Sequence, residues 1–465
     1  MVILARLVTP ENFGLVGMVA AIIGFLGLFR DAGLSQATIQ RAVVTNQQTS
    51  TLFWINFAIG LTLALFCAVA APAVALFYRD DRLLWITVAL GSSFIFSGAS
   101  AQHRALLQRE MRLGTLAVVE LVASAGSILI GVWMAAIGMG YWALVAMAVS
   151  APAIGMVGMW KVTGWVPGLP SRAAGVRSML HYGGLLTLNG VVVYAAYNLD
   201  KVLLGRVWGA EALGIYGRAY QLISIPTENL HSTIGLVMFP ALSRVQDDPT
   251  RLRAYFLKGY GLFLSVVMPI TVASALFADL IVRVLLGPQW SAAVTVFQLL
   301  APTILALALI NPMAYLMQAT GRIVRSVKIA FLIAPVVVIG YALGLPWGAN
   351  GVAMGFSIAM SVLVVPVVMW ATHGTMITAG DLLRTAWPPL ASTVIAAALA
   401  YALGEYIGEV NPLLKISLVS ATLFGAQTMV LYFAMGYGKI YGELLEASGL
   451  RKRRSRTDEG KDGSR

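Results

Sequence analysis

Long apolar runs separated by short polar stretches recur along almost the whole chain. Thirteen of them, near 13–29, 52–77, 83–101, 115–137, 142–160, 179–204, 213–240, 255–277, 292–317, 327–345, 350–371, 387–404 and 413–435, come close to or exceed the ~20 residues that a helix needs to cross the hydrocarbon core. The pattern predicts an all-α polytopic membrane protein. Twelve runs are plain. The stretch 213–240 carries Arg218, Glu228 and His231, and by itself reads equally as a span or as an amphipathic surface helix.

Flanking charge decides that case. Residues 161–178 hold Lys161, Arg172 and Arg177, and residues 244–258 hold Arg244, Arg251, Arg253 and Lys258. Both stretches are cytoplasmic if basic loops stay inside, so two spans, 179–204 and 213–240, must separate them. Alternating the loops from there places 24 of the 32 Lys and Arg on one face and leaves the basic tail, residues 439–465, inside. The tail reads as disordered and able to touch anionic lipid.

Composition agrees with the pattern. Of 465 residues, 59% are hydrophobic and 11% charged, against about 25% charged in soluble domains. The net charge of +12 reads as cytoplasmic loop charge before it reads as attraction to a polyanion, and no nucleic-acid partner is expected. Cys67 is the single cysteine and the four His are scattered, so neither disulfide nor metal is expected. No cleavable signal peptide is expected either.

The stretch RLVTPENFGLVG at 6–17 returns as RVWGAEALGIYG at 206–217, with Arg6/Arg206, Glu11/Glu211, Gly14/Gly214 and Gly17/Gly217 matched at an offset of 200. A second set follows at an offset of 210: Gln108/Gln318, Arg112/Arg322, Gly138/Gly348 and Ala143/Ala353. Two duplicated halves are the expectation. The partition is an N-terminal lobe 1–178, a C-terminal lobe 179–373, two further helices in 374–438 and the tail 439–465. A full helix precedes Arg206 but only MVILA precedes Arg6. The expected parent plan is therefore two pseudo-symmetric six-helix bundles plus two C-terminal helices, with the first helix largely missing here. Its remainder is expected upstream of Met1.

Ionisable groups in spans are costly and are candidates for function. Tyr194, Tyr197, Asn198 and Lys201 share one helical face. That face is either a polar stripe with Lys201 on a phosphate or sugar acid, or, with Asp200, a snorkelling helix end. Arg218, Gln221, Glu228, Asn229 and Ser232 follow helical spacing around Pro226, which breaks the backbone ladder. Facing lipid, Arg218 or Glu228 would cost about 2.5–3.5 kcal/mol or more, so both should face the bundle interior. There they would either meet substrate or pair structurally between helices. His231 is a packing residue or a proton carrier. Arg30 and Asp31 form a gate or an interfacial anchor. Glu120, Ser124 and Ser127 share a face and are read as glue between helices. Asn311 and Pro312 mark a second broken helix, a hinge or a tolerated kink. No Ser-His-Asp arrangement, metal motif or phosphate loop occurs, and the outer loops are short, so an enzyme is disfavoured.

The opening ARLVTPENFGLVGM, FRDAGLSQATIQR at 29–41, NLDKVLLGRVWGAEALGIYGRAYQLISIP at 198–226 and FPALSR at 239–244 resemble the polysaccharide-transporter (Wzx-type) flippases of the multidrug/oligosaccharidyl-lipid/polysaccharide exporter superfamily. The resemblance runs over most of the chain and implies fourteen helices in two lobes. It also implies export of an undecaprenyl-diphosphate-linked oligosaccharide across a bacterial inner membrane for lipopolysaccharide, capsule or exopolysaccharide synthesis, by alternating access.

In that frame Arg218, Lys201, Tyr197, Asn198, Gln221 and Asn229 are the expected cavity residues, Glu228, Asp200 and Asp31 the expected charge-balancing or ion-coupling residues, and Pro226 and Pro312 the expected hinges. The partners are the lipid-linked oligosaccharide, membrane lipids and, by association, a polysaccharide polymerase and glycosyltransferases; no cofactor is expected. The alternatives are a cation-coupled multidrug exporter on the same scaffold and a non-transporting scaffold for polysaccharide synthesis.

Overall fold

The computed structural model describes residues 2–30, 38–39, 44–171, 177–408 and 410–438. Among the described residues every regular element is helical. The elements are α1 (Val2–Leu7), α2 (Pro10–Gly27), α3 (Asn46–Tyr78), α4 (Arg82–Gly91), α5 (Ser93–Arg109), α6 (Leu113–Ala136), α7 (Tyr141–Thr163), α8 (Arg177–Ser243), α9 (Pro249–Leu276), α10 (Ala278–Leu285), α11 (Ala292–Ala319), α12 (Ile323–Gly344), α13 (Gly348–Thr372), α14 (Ala379–Ile407) and α15 (Pro412–Phe433).

Ten segments among the described residues are long and apolar enough to cross a membrane, and one of them, Val324–Thr372, holds both α12 and α13. Eleven of the thirteen predicted runs fall in these segments. The other two, 179–204 and 213–240, lie in α8 on either side of Gly209, whose φ of 81° and ψ of −174° interrupt the helix. Glycine takes that positive φ without a Cβ penalty.

Local chemistry sets the helix starts. Thr45 and Gln48 form a capping box at α3, Thr378 and Asp381 another at α14, and Asp248 accepts from the first amides of α9; each satisfies donors that an uncapped start leaves bare. The basic-side ends run past the apolar stretches. Arg104 falls in a polar loop, 102–114, by hydropathy, yet α5 continues to Arg109, because QHRALLQR is built mostly of good helix formers. Arg325 and Lys328 likewise lie on α12 rather than in a loop.

The duplication is visible in the elements. Arg82 to Arg109, the extent of α4 and α5, precedes α11 by 210 residues at both ends, and α6 starts 210 residues before α12. Arg112 donates to the Val162 carbonyl at the end of α7, and Arg322 to the carbonyls of His373 and Gly374 at the end of α13. Each arginine thus satisfies bare carbonyls at the C-terminal end of a helix.

The offset of 200 also has a contact of its own. A Cβ on Gly14 would lie 1.6 Å from the Ala210 carbonyl oxygen, and one on Gly214 would lie 1.9 Å from the Pro10 carbonyl oxygen. Residue 10 meets 214 while 14 meets 210, which is the self-complementary pattern of a two-fold contact. Repeat-related helix starts therefore cross backbone to backbone, and glycine is the residue that permits it.

The chain forms two compact units, Met1–Ser224 with Val282–Leu300 and Lys328–Met360, and Ile225–Ile281 with Ala301–Val327 and Ser361–Arg465. In the first, Leu107, Leu116, Val119 and Met159 pack α5, α6 and α7 together. In the second, Ala396, Ala397, Ala400, Val419 and Leu423 let α14 and α15 approach closely against Val272, Ala273 and Phe277, as small residues do where lipid removes the hydrophobic driving force. Gln427 on α15 donates to the Ser265 carbonyl (2.8 Å) and to the Thr393 hydroxyl (3.2 Å), adding polar glue between three helices.

Candidate functional site

The polar stripe predicted on the first part of α8 lies in the first unit. The Lys201 ammonium donates to Asn198 Oδ1 at 2.7 Å and sits 5.4 Å from the centre of the Tyr220 ring. Asn198 in turn donates to the Tyr194 carbonyl, and the Tyr194 hydroxyl donates to the Ala21 carbonyl on α2. Across the Gly209 break, the Arg218 guanidinium lies 3.7 Å from the centre of the Phe13 ring, and it donates to Gln221 Oε1 one helical turn on. Both cations of the candidate site therefore rest on aromatic faces, which favour cations through the ring quadrupole.

Asp200 is fully buried, and its Oδ2 accepts from the Tyr216 hydroxyl at 2.7 Å. Among the described residues its Oδ1 has no hydrogen-bond partner. A buried carboxylate oxygen left bare is expensive, and the unit surrounds it with more tyrosine than the sequence suggested. Tyr216 stacks on Tyr220, Tyr220 meets Phe356, and Phe356 meets Tyr341, whose buried hydroxyl is also unpartnered. Sequence reasoning missed Tyr216, Tyr220 and Tyr341. Their signal was available only in part: Tyr216 and Tyr220 are four apart on one helix face, but Tyr341 comes from a distant helix. Tyr197 lies half-buried on the same stretch of α8.

Pro226, Glu228, Asn229, His231, Asn311 and Pro312 lie in the second unit. Glu228 is exposed and makes no ion pair among the described residues. Asn229 Nδ2 donates to the Ile225 carbonyl, and its backbone carbonyl takes hydroxyls from Ser232 and Thr233, all within the helix around Pro226. The Tyr315 hydroxyl sits 3.0 Å from His231 Nε2, with the two rings stacked. Pro312 lies inside α11 beside Asn311, which lines a small void with Thr227 and Phe263. Pro72, Pro152, Pro269, Pro302, Pro335 and Pro366 also lie inside helices, so proline alone does not single out Pro226 and Pro312 as hinges. Asp31 lies outside the described residues. Among the described residues, no three of His, Cys, Asp and Glu come together as a metal site would require.

Glu120 has found a partner on another helix. The Arg104 guanidinium on α5 donates to its Oε1, whereas Ser127 bonds back to the Ser124 carbonyl of its own helix. The Glu11 and Arg6 of the repeat also hold specific positions. Arg82 bridges Glu11 and Asp80 at 2.7 Å each, and Arg6 donates to the Val284 carbonyl.

The all-helical fold is shared with solved membrane transporters. The lipid II flippase MurJ in an inward closed conformation superposes with a TM-score of 0.72 at 12% identity, covering 97% of this chain and 96% of that one. An inward-facing multidrug resistance MATE transporter of the MOP superfamily gives 0.62 at 13% identity, over 80% and 91% of the two chains.

Sequence narrows the class: residues 3–295 match the polysaccharide biosynthesis protein family, and the chain belongs to it. The lipopolysaccharide biosynthesis protein WzxC of Escherichia coli K12 is 28% identical over 77% of this chain and 73% of its own length. The teichuronic acid biosynthesis protein TuaB of Bacillus subtilis 168 is 28% identical over 64% of this chain and 62% of its own. The succinoglycan biosynthesis transport protein ExoT of Rhizobium meliloti 1021 is 26% identical over 64% and 60%.

Proposed function

We propose that this protein is a flippase that carries an undecaprenyl-diphosphate-linked oligosaccharide across the bacterial inner membrane for polysaccharide synthesis, by alternating access of a polar cavity, and that it is not an enzyme. Membership of a polysaccharide biosynthesis family whose relatives include a named transport protein supports the class. The observation that carries the substrate chemistry is the two cations, Lys201 and Arg218, which the first unit holds against the Tyr220 and Phe13 rings and the Asn198 and Gln221 side-chain oxygens. A sugar diphosphate cannot enter about 30 Å of hydrocarbon unaided, and a guanidinium offers phosphate a bidentate fork where an ammonium offers a point charge.

In this reading Lys201 and Arg218 meet the diphosphate, and Asn198, Gln221, Tyr197 and Asn229 supply hydrogen bonds along the path. Asp200 and Glu228 balance charge or bind a coupling cation, with Asp31 as a third candidate. Pro226 and Pro312 give the backbone freedom that rocking requires. The lobes 1–178 and 179–373 move as the duplicated halves, with 374–438 and the cytoplasmic tail as additions. Polymerase and glycosyltransferases act before and after this step on the same lipid carrier.

The test uses purified protein in vesicles with a labelled lipid-diphosphate oligosaccharide, scored for headgroup exposure on the far leaflet. Arg218→Ala and Lys201→Ala should insert normally and flip at least about tenfold more slowly, a loss of about 1.4 kcal/mol or more of binding or transition-state stabilisation. Arg218→Lys should recover only part. Unchanged rates in both alanine variants would reduce these residues to anchors, and movement of cationic dyes without lipid movement would favour the multidrug exporter.

A further inference from the structure

The turns that close α7 and α13 are related by the duplication and are completed differently. At the offset of 210, Arg112, Trp160 and Gly164 of the first unit return as Arg322, Trp370 and Gly374 of the second. Gly164 and Gly374 take positive φ angles of 59° and 70°, so each helix stops at a left-handed glycine. The next residue is Trp165 in the first unit and Thr375 in the second. The helices that these turns face also correspond: α3 follows α2 as α9 follows the last part of α8, and each has a phenylalanine, Phe53 or Phe256, as its eighth residue.

Trp165 packs into the first turn. Its indole N–H donates to Asn46 Oδ1 at the start of α3 (2.8 Å), and its ring lies 6.1 Å from that of Phe53 and 5.1 Å from that of His103. The Thr375 hydroxyl stays within its own turn, donating to the Thr372 carbonyl and accepting from the Ile377 amide. Beside it the second unit has an open cleft of about 340 Å³, in the range of small-molecule sites, about 300–1,000 Å³. Pro249 and Leu252 at the start of α9, with Met376, give it apolar walls, and the exposed side chains of Gln246 and Asp247 line it as well. The cleft therefore stands where the first unit places its indole, with Gln246 and Asp247 as acceptors in the role of Asn46.

We propose that this cleft takes the indole of a tryptophan carried by a partner protein, in an acidic segment that approaches the face that the basic loops predict to be cytoplasmic. An indole offers a broad ring to the apolar walls and one N–H to the Asp247 carboxylate or the Gln246 amide oxygen, and a tryptophan seated in a pocket is a common anchor of interfaces. The acidic flanks follow from two arginines on the same stretch of chain. Arg244 is exposed, and Arg251 pairs with Asp248 through Nε while its side chain stays 73% exposed, so negative charge beside the anchor meets complementary charge. The assignment is independent of what the protein carries across the membrane.

Met376 is 56% exposed and the single native cysteine, Cys67, is buried, so Met376→Cys places one accessible thiol in the cleft. The full chain in phosphatidylcholine nanodiscs is labelled with an uncharged maleimide in the presence of N-acetyltryptophanamide or of the peptide acetyl-Asp-Trp-Asp-amide. Both should slow the labelling, the peptide at about one tenth of the concentration, which is the effect of two surface charge pairs. Replacing Arg244 and Arg251 together by Gln should remove that advantage. A peptide with its indole nitrogen methylated should protect at least about fivefold less well, because the acceptor loses its donor, and one with leucine in place of tryptophan should protect less still. Thr375→Trp, which gives the second unit the residue of the first, should slow the labelling without any peptide and leave the peptide nothing to add.

Labelling that neither the amide nor the peptide slows would overturn the proposal, as would equal protection by the leucine peptide. The peptide arms do not depend on the folding of Thr375→Trp; a folded Thr375→Trp that labels as fast as its parent and is still protected by the peptide would also count against the cleft as an indole site. Nanodiscs containing phosphatidylglycerol supply the last arm: protection by that lipid without peptide would give the cleft to membrane headgroups and overturn its assignment to a protein partner.

Discussion

The reciprocal crossing of Gly14 and Gly214 makes a quantitative prediction. Real Cβ atoms do not approach closer than 3.0 Å, yet alanine at Gly14 would sit 1.6 Å from the Ala210 oxygen and alanine at Gly214 would sit 1.9 Å from the Pro10 oxygen. The two helix starts must part by about 1.4 Å or 1.1 Å, the shortfalls from that limit, and overpacking of this kind costs about 1–3 kcal/mol. Intrinsic helix propensity works the other way, since Gly→Ala in a helix gains about 0.8–1 kcal/mol. The clash wins, because both obstructing atoms are backbone and neither can rotate away.

If the crossing is made only in the state described here, that cost shifts the population towards states without it by up to about 5- to 150-fold. Gly217→Ala is the control: the same repeat supplies it, but a Cβ there meets nothing within 4 Å, so only the propensity gain remains. The assay is alkylation of Met18→Cys by a membrane-impermeant maleimide in intact cells, alongside thermal denaturation in detergent. Met18 is buried and lies against Gly205, and Cys67 is buried as well. Gly14→Ala and Gly214→Ala should each raise the labelling rate and lower the denaturation temperature. The double variant should fall short of additivity, because both act on one crossing. Labelling and melting that match Gly217→Ala would refute the reasoning.

Three further outcomes follow from particular contacts. A topology reporter inserted after Arg253 should score cytoplasmic and one after Gly348 periplasmic; the opposite pair would overturn 213–240 as a span. Tyr216→Phe removes the hydroxyl that donates to the buried Asp200 and should destabilise the protein by about 1–3 kcal/mol in detergent melts, whereas Asp200→Asn with Tyr216 intact should cost less, since it removes the charge as well. The Arg82 guanidinium beside Asp80 holds that carboxyl below its ordinary value. Its stabilisation is therefore present above the ordinary carboxylate pKa and lost as pH falls through the lowered one; Arg82→Gln should flatten the acid limb of the melting profile below about pH 4, and an unchanged limb would count against the pair.

Hydropathy determined the membrane class, because the cost of burying an unsatisfied backbone in lipid leaves a chain with such runs only helices to form. Spacing alone exposed the duplication, and the helices Arg82–Arg109 and Ala292–Ala319 keep its offset to the residue. Hydropathy could not say where helices end, since Arg104 and Gln108 are as compatible with a helix as with a loop; that is why Arg104 went unread as the partner of Glu120. Nor could it pair Gly14 with Ala210 or give Asp200 its Tyr216 and leave Tyr341 nearby without a partner. Such pairings depend on how helices cross, and a crossing is chosen by side-chain volume and backbone approach between residues up to hundreds of positions apart, which no local pattern along the chain records.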